Sequence, residues 1–169
     1  ISTLLKISNS AMFGFRSKVE TPGRAVNLLG INFTISIAIG GTVQNMLVSN
    51  LEPYGINSDD FMRASNISSS LANLWLSKVD FELKEDLVLP ALLQEAGKFV
   101  LADIIISENK VDEFTKKLAE TKDTAIAEKE VINYTTSEIT AKIFNHWKLS
   151  ANLINMIENV DDISKCNPQ

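Results

Sequence analysis

Two carboxylates and one amine interrupt an otherwise apolar run, LLQEAGKFVLADII, at residues 92–105. Glu95, Lys98 and Asp103 are residue types that transfer protons or bind metal ions, so this run is the first candidate for chemistry. On a helix, however, the apolar residues share one face, and the three polar side chains lie on the other side or at its margin. Glu95 and Lys98 have the i, i+3 spacing of a helical ion pair. Gly97 between them predicts close packing against a neighbouring helix.

Few other residues have the types or the spacing that metal or nucleophile chemistry needs. His146 is the single histidine and Cys166 the single cysteine, so the number of ligands alone excludes a zinc site of cysteine and histidine. His146 stands beside a tryptophan on an amphipathic helix, and we interpret it as a structural or surface residue. A carboxylate magnesium site stays open, although Asp161 and Asp162 are more typical of a solvated helix end. The chain has neither a Gly-x-Ser-x-Gly motif nor a glycine loop with Walker spacing.

The charge and the cysteine content of the 169 residues narrow the classes of partner and compartment. A formal net charge of −5 and scattered basic residues disfavour nucleic-acid binding, which needs clustered lysine and arginine. A single cysteine is compatible with a reducing compartment, so we expect a cytoplasmic protein. The most apolar window, residues 33–43, is shorter than the roughly 18–20 residues of a bilayer span, so no membrane segment is expected. The chain begins at Ile1 rather than at methionine, which indicates part of a longer protein.

Helical periodicity and helix-end signals dominate the chain and predict an all-α fold. Thr135 and Glu138 have the spacing of a capping box, which predicts a helix from about Thr136. Ser150 is typical of the cap of the helix that follows. Further helices are predicted at residues 22–30, 31–51, 59–78 and 92–105, with two more within 108–132 that separate near Thr121.

A turn-rich segment with Pro53 and Gly55 divides the chain into two helical lobes of one domain. We expect an amino-terminal lobe at residues 1–52 and a second helical lobe at residues 53–169. Ser58 is the predicted cap of the helix after the turn. The apolar stripe of this helix keeps the helical period, and it includes Phe61, Ala64, Ile67, Leu71, Leu74 and Trp75.

Three stretches, in order and at compatible spacing, resemble the HDOD family, the output-type relatives of HD-domain phosphohydrolases. The first is LLKISNSAMFGF with VETPGRAVNLLGI, which looks like the family's amino-terminal signature of two helices ending in Asn-Ser-Ala and in Leu-Gly. The second, LLQEAGKFVLADII, is similar to the Leu-Leu-His-Asp-Ile-Gly-Lys element. The third, TTSEITAKIFNHWKLSANLINMI, is similar to the stretch with a His before a helix and then Trp-x-Leu-Pro. The resemblance covers nearly the whole chain and implies a compact multi-helix HD-like domain.

The departures from the family pattern concern the metal-binding residues. Gln94-Glu95 stands where catalytic HD relatives have the His-Asp metal dyad, so an amide replaces an imidazole ligand. Thr136 and Ala64 stand about where further histidines are expected, and residues 158–161 replace a frequent histidine pair. The single histidine of this chain matches none of these positions. The resemblance therefore implies a vestigial dyad position, with no metal ion and no cofactor.

What the resemblance implies is a bacterial regulatory domain of signal transduction rather than an enzyme. Such a domain acts by binding another regulatory or signalling protein. Met12, Phe13 and Phe15 are the candidate partner surface, with the acidic carboxy-terminal face as the alternative. The two phenylalanines are alternatively residues that close the interface between the lobes. Neither a nucleic acid nor a membrane is an expected partner.

A small-ligand pocket inherited from a hydrolase ancestor is expected between the helices that hold Gln94 and Thr136. Lys98 and Thr136 are its candidate ligand contacts. The alternative function is a divergent metal-dependent phosphohydrolase with carboxylate ligands, for which the candidates are Glu95, Asp103 and Asp161.

Overall fold

The computed structural model describes residues 2–9, 17–29, 34, 50–80, 83, 87, 90–162 and 164, and the helices and contacts given below lie within these ranges. Eight α-helices have their bounds there: α1 (Ser2–Ser8), α2 (Pro22–Leu29), α3 (Ser58–Val79), α4 (Gly97–Ser107), α5 (Val111–Thr121), α6 (Thr124–Ile132), α7 (Thr136–His146) and α8 (Ala151–Glu158). A 3-10 helix at Glu52–Tyr54 precedes α3, and residues 90–93 are also helical. No strand occurs in the described ranges, so the predicted all-α class is confirmed.

Side-chain caps explain where the helices of the carboxy-terminal half begin. The Thr135 hydroxyl oxygen accepts a hydrogen bond from the N–H of Glu138 at 3.2 Å, and the Glu138 carboxylate accepts one from the N–H of Thr135 at 3.0 Å. The predicted capping box is therefore present, and α7 begins at Thr136 as predicted. Ser150 caps α8, and Asp123 caps α6 after the predicted break near the end of α5.

Helix α3 confirms the predicted helical period but not the predicted cap. Oδ1 of Asn57 accepts a hydrogen bond from the N–H of Asp60 at 2.8 Å, so the cap is Asn57, and Ser58 is the first helical residue. The asparagine satisfies a free N–H of the first turn one position before the predicted cap. An apolar stripe usually faces the core, yet five large apolar residues of α3 are more than half exposed. They are Ile67, Leu71, Leu74, Trp75 and Val79.

Helix α4 lies at the centre of the hydrophobic core. Leu101, Ala102 and Ile105 on this helix are fully buried. Burial therefore extends further around α4 than the single apolar face that the sequence predicts. The physical reason is that α4 packs against α5, α6, α7 and the 3-10 helix, while α7 also packs against α8.

Several predictions fall on residues that the structure does not describe. They concern Met12, Phe13, Phe15, Gly30, Cys166 and most of the helix predicted at residues 31–51. The division into lobes at residues 1–52 and 53–169 stays a prediction. Among the helices that are described, none is at once long enough and apolar enough to cross a membrane.

Candidate functional site

A hydrogen-bonded contact joins the turn before α4 to the beginning of α7. The Thr140 hydroxyl oxygen accepts a hydrogen bond from the N–H of Gly97 at 2.9 Å. The same hydroxyl lies 2.9 Å from the carbonyl oxygen of Gln94 and 2.8 Å from that of Thr136, so its proton can be donated to either. A Cβ atom on Gly97 would overlap the Thr136 carbonyl oxygen, so only glycine fits here. The close packing predicted at Gly97 is confirmed, and it holds Gln94 beside Thr136.

Lys98 and Glu95 form an ion pair next to this contact. The Lys98 side chain is 16% exposed and the Glu95 side chain 44% exposed, so water reaches the carboxylate more readily than the ammonium. The Lys98 ammonium also lies 5.4 Å from the centre of the Tyr54 ring, which is within cation–π distance. The i, i+3 spacing in the sequence thus corresponds to a real contact, in a partly buried position rather than on an exposed helix surface.

Glu128 on α6 carries the one fully buried carboxylate among the described residues, and the sequence analysis did not single it out. Its Oε2 accepts a hydrogen bond from the N–H of Thr136 at 2.6 Å. Its Oε1 accepts from the Thr136 hydroxyl at 2.6 Å and from the Tyr54 hydroxyl at 2.9 Å. Glu128 therefore satisfies the first N–H of α7 and connects α6, α7 and the 3-10 helix.

The surroundings of Glu128 shift two pKa values. Burial raises the pKa of Glu128 above its ordinary value, although the hydrogen bond from the Thr136 hydroxyl and the charge of Lys98 act in the opposite direction. Burial and the charge of Glu128 raise the pKa of Tyr54. The Tyr54 hydroxyl therefore keeps its proton and donates it to the carboxylate in a hydrogen bond.

Periodicity on α6 is the signal that would have identified Glu128 from sequence. Thr124, Ala127, Glu128 and Val131 have the i, i+3, i+4, i+7 spacing of one helix face, and the last three are buried. A glutamate in a buried stripe requires hydrogen-bond donors, because an unpaired buried carboxylate is costly. Tyr54 carries no such signal, because it lies 74 residues away from Glu128 in the sequence.

These side chains line a cavity of about 350 Å³, which we call the polar cavity. It brings together the four residues predicted as the dyad position or as ligand contacts, Gln94, Glu95, Lys98 and Thr136, with the buried Glu128. The assigned roles of the four, as a vestigial dyad position and as ligand contacts, stay predictions. The other lining residues are Asp123, Thr124, Ala125, Ser137, Val160 and Asp161.

A second cavity of about 460 Å³, which we call the apolar cavity, adjoins the first. Gln94, Glu95 and Lys98 line both cavities. The Phe61 ring forms part of the apolar wall and packs edge-on against Phe99, with ring centroids 4.6 Å apart. The two cavities therefore differ in the polarity of their walls, and they meet at the Glu95–Lys98 ion pair. The remaining lining residues are Ile56, Asp60, Ala64, Ser65, Ser68 and Ala91.

A hydrolytic metal ion needs several ligating side chains at one place. Within the described part of the chain, no group of three or more His, Cys, Asp or Glu side chains is close enough to hold one. His146 is exposed at the end of α7, and Asp103 is exposed on α4; neither lines either cavity. Asp161 does line the polar cavity. Two of the three carboxylates proposed for the alternative hydrolase, Glu95 and Asp161, therefore line one cavity, and Asp103 lies apart from it.

Comparisons with known proteins agree with this all-helical architecture. A family model described as the HDOD domain matches residues 1–163. A crystal structure of a virulence factor from Campylobacter jejuni subsp. jejuni is similar to the chain, with a TM-score of 0.62 and 25% sequence identity. The similarity covers 95% of this chain but 58% of that one, so the chain spans little more than half the length of that protein's solved structure. No curated protein sequence matches the chain.

Proposed function

This chain belongs to the HDOD family, a family associated with signalling, and from that premise we propose that it is a non-catalytic regulatory domain of bacterial signal transduction. It acts by binding a partner protein, and its paired cavities serve a small ligand rather than a reaction. The observation that carries the proposal is that the two residues at the dyad position already make contacts within the protein. Glu95 is paired with Lys98, and the carbonyl oxygen of Gln94 lies 2.9 Å from the Thr140 hydroxyl.

Glu95 is the remaining acid of the dyad position, and its carboxylate is already paired with the Lys98 ammonium. The amide of Gln94 is a poorer metal ligand than the imidazole that catalytic relatives have at this position. His146 is the single imidazole of the chain, and it lines neither cavity. These features support a site that has lost hydrolytic chemistry and kept its shape.

The exposed apolar stripe of α3 supports binding of a partner protein. Leu71, Leu74, Trp75 and Val79 are 61–65% exposed. Exposed apolar side chains grouped on one helix are typical of interaction surfaces, and tryptophan often contributes a large part of the binding energy. This stripe is a candidate surface in addition to those predicted at residues 12–15 and on the acidic carboxy-terminal face.

A turnover assay tests the non-catalytic part of the proposal. We expect no hydrolysis of p-nitrophenyl phosphate or bis-p-nitrophenyl phosphate above background with Mn²⁺ or Mg²⁺. Glu95→Gln should give the same background, and so should Glu113→Gln, a matched change at an exposed glutamate of α5. Turnover that disappears in Glu95→Gln and persists in Glu113→Gln would identify a phosphohydrolase and overturn the proposal.

Affinity capture from the native host with the full-length protein tests the interaction part. We expect a reproducible partner that is lost with Leu71→Ser/Trp75→Ser. The control Ile126→Ser/Tyr134→Ser changes two side chains that are 46% and 45% exposed on another surface, and it should retain the partner. Identical capture profiles for the wild type and both double variants would rule out the α3 surface.

A further inference from the structure

The polar and apolar cavities share one wall, which consists of Gln94, Glu95 and Lys98. Their volumes of about 350 Å³ and about 460 Å³ each fall within the range of small-molecule sites, roughly 300–1,000 Å³. A ligand that extends past the Glu95–Lys98 pair therefore contacts both cavities. Such a ligand has to present one apolar part and one polar part, because the two sets of walls differ.

The apolar cavity fits a compact hydrocarbon group. Phe61 and Ile56 supply its larger apolar side chains, and Ala64 and Ala91 leave space between α3 and the helical residues 90–93. Phe61 is buried and held by its contact with Phe99. An aromatic ring or a short aliphatic group entering this space leaves water and gains dispersion contacts with a wall that is already ordered.

The polar cavity carries an excess of negative charge. Its lining residues include four carboxylates, and Lys98 is the one basic residue among them. The ammonium of Lys98 is already paired with Glu95, and the buried Glu128 is satisfied by its hydrogen-bond donors. Asp123 caps α6 through a backbone N–H, and neither Asp123 nor Asp161 forms an ion pair with any described residue. A positive charge fits this cavity, whereas an anion would meet four carboxylates.

We infer that the paired cavities bind a small amphiphilic amine. Its apolar body lies against Phe61 in the apolar cavity, and its ammonium group lies in the polar cavity near Asp123 and Asp161. The ligand passes the Glu95–Lys98 pair, which forms the wall between the two parts. This inference rests on the proposed function, because it treats the site as one that binds a ligand without transforming it.

Three probes that share a phenylethyl body and differ in charge test the inference by ligand-observed NMR titration of the full-length protein. They are 2-phenylethylamine, 2-phenylethanol and 3-phenylpropionate. The amine should bind with an affinity about five- to tenfold higher than the alcohol, the effect of one or two partly exposed charge pairs. The propionate should bind more weakly than the alcohol. Added salt should reduce the preference for the amine, because it screens exposed charges.

Two variants separate the contributions of charge and shape. Asp161→Asn should weaken amine binding about two- to fivefold, the range for one exposed charge pair, and leave the alcohol unchanged. Asp112→Asn, at an exposed aspartate of α5, is its control. Ala64→Leu should weaken the amine and the alcohol together by about tenfold or more, because the added side chain fills the apolar cavity. Ala119→Leu on α5 is the matched control and should change neither affinity.

Equal affinities for all three probes, or no binding by any of them, would overturn the inference. It would also be overturned if Ala64→Leu had no more effect than Ala119→Leu. These outcomes leave the proposed function in place. Partner binding through Leu71 and Trp75 and the absence of turnover are both measured without any amine. Conversely, turnover that depends on Glu95 would remove the proposed function even if the amine binds.

Discussion

Glu95 and Glu128 face the same polar cavity, yet their carboxylates are held in opposite ways. Glu128 is 1% exposed and accepts three hydrogen bonds from Thr136 and Tyr54. The Glu95 side chain is 44% exposed, and its partner is the flexible side chain of Lys98. Glu128 therefore belongs to the framework of the site, whereas the single, half-exposed ion pair of Glu95 is of the kind that a bound ligand would be able to exchange. Residue type alone does not tell the two roles apart; the number and rigidity of the donors do.

The framework beneath both carboxylates is the contact at Gly97, and breaking it should have the largest effect. Gly97→Ala places a methyl group against the backbone carbonyl of Thr136 and 2.9 Å from the hydroxyl oxygen of Thr140. A backbone carbonyl in α7 cannot move aside without displacing the helix. We expect the free energy of unfolding to fall by about 3 kcal/mol, the upper part of the overpacking range, in urea denaturation.

Gly23→Ala is the matched control for this substitution. Gly23 lies in the first turn of α2, and a Cβ atom there would meet nothing within 4 Å. Alanine is the better helix former, so the stability should stay unchanged or rise by up to about 1 kcal/mol. If Gly97→Ala were as stable as Gly23→Ala, the close approach of α4 and α7 would be wrong.

Truncating the two glutamates compares their roles directly. Glu128→Ala leaves the N–H of Thr136 and the hydroxyl of Tyr54 without an acceptor inside the protein, and we expect a loss of about 2 kcal/mol in the free energy of unfolding. The loss is smaller than for Gly97→Ala because removing the carboxylate also relieves its cost of burial. Glu95→Ala removes a half-exposed ion pair and should cost less than about 1 kcal/mol. Urea denaturation of both variants at one pH measures the difference, and equal losses would contradict the division into framework and exchangeable residue.

Local signals account for what the sequence predicted, and long-range packing accounts for what it did not. Thr135 and Glu138 form the predicted capping box because both partners lie within one turn of the chain. The same local reasoning predicted the wrong cap, Ser58, because the asparagine one position earlier caps α3. The Glu128–Tyr54 hydrogen bond joins residues 74 positions apart, and no local pattern specifies such a contact. The sequence predicted the apolar stripe of α3 but not its exposure, because periodicity shows that a helix has an apolar face and not what covers that face.

The pH dependence of stability should distinguish the buried Glu128 from the partly exposed Glu138. Burial raises the folded-state pKa of Glu128 above the ordinary value of 4.5, so the folded protein binds this proton more tightly than the unfolded chain. Stability from this group is complete below pH 4.5 and is lost as the pH rises through the raised pKa. Between pH 4.5 and the raised pKa, the urea midpoint should therefore fall less with rising pH in Glu128→Gln than in the wild type.

Glu138 provides the contrast, because its pKa is shifted the other way. Its partial burial raises the pKa, but the hydrogen bond and charge of Lys129 and the N–H of Thr135 outweigh burial and lower it below 4.5. Glu138 stabilises the protein above pH 4.5, and this contribution is lost as the pH falls through its lowered pKa. Glu138→Gln should therefore flatten only the acid limb of the plot of stability against pH. A Glu128→Gln variant that flattened the acid limb instead would contradict the assigned direction.

The smallest effect should come from the Glu95–Lys98 pair itself, measured in a double-mutant cycle with Glu95→Gln and Lys98→Gln. We expect a coupling free energy of about 0.5 kcal/mol, since one partner is nearly half exposed and water competes for its carboxylate. The Lys117–Glu130 pair, whose side chains are 33% and 52% exposed, is the control and should couple less strongly. A weak coupling at Glu95–Lys98 is what an exchangeable pair requires, because a ligand that replaces either partner has to recover only that small free energy. A coupling as large as the loss in Glu128→Ala would instead make Glu95 a second framework residue, and the wall between the two cavities would then be fixed.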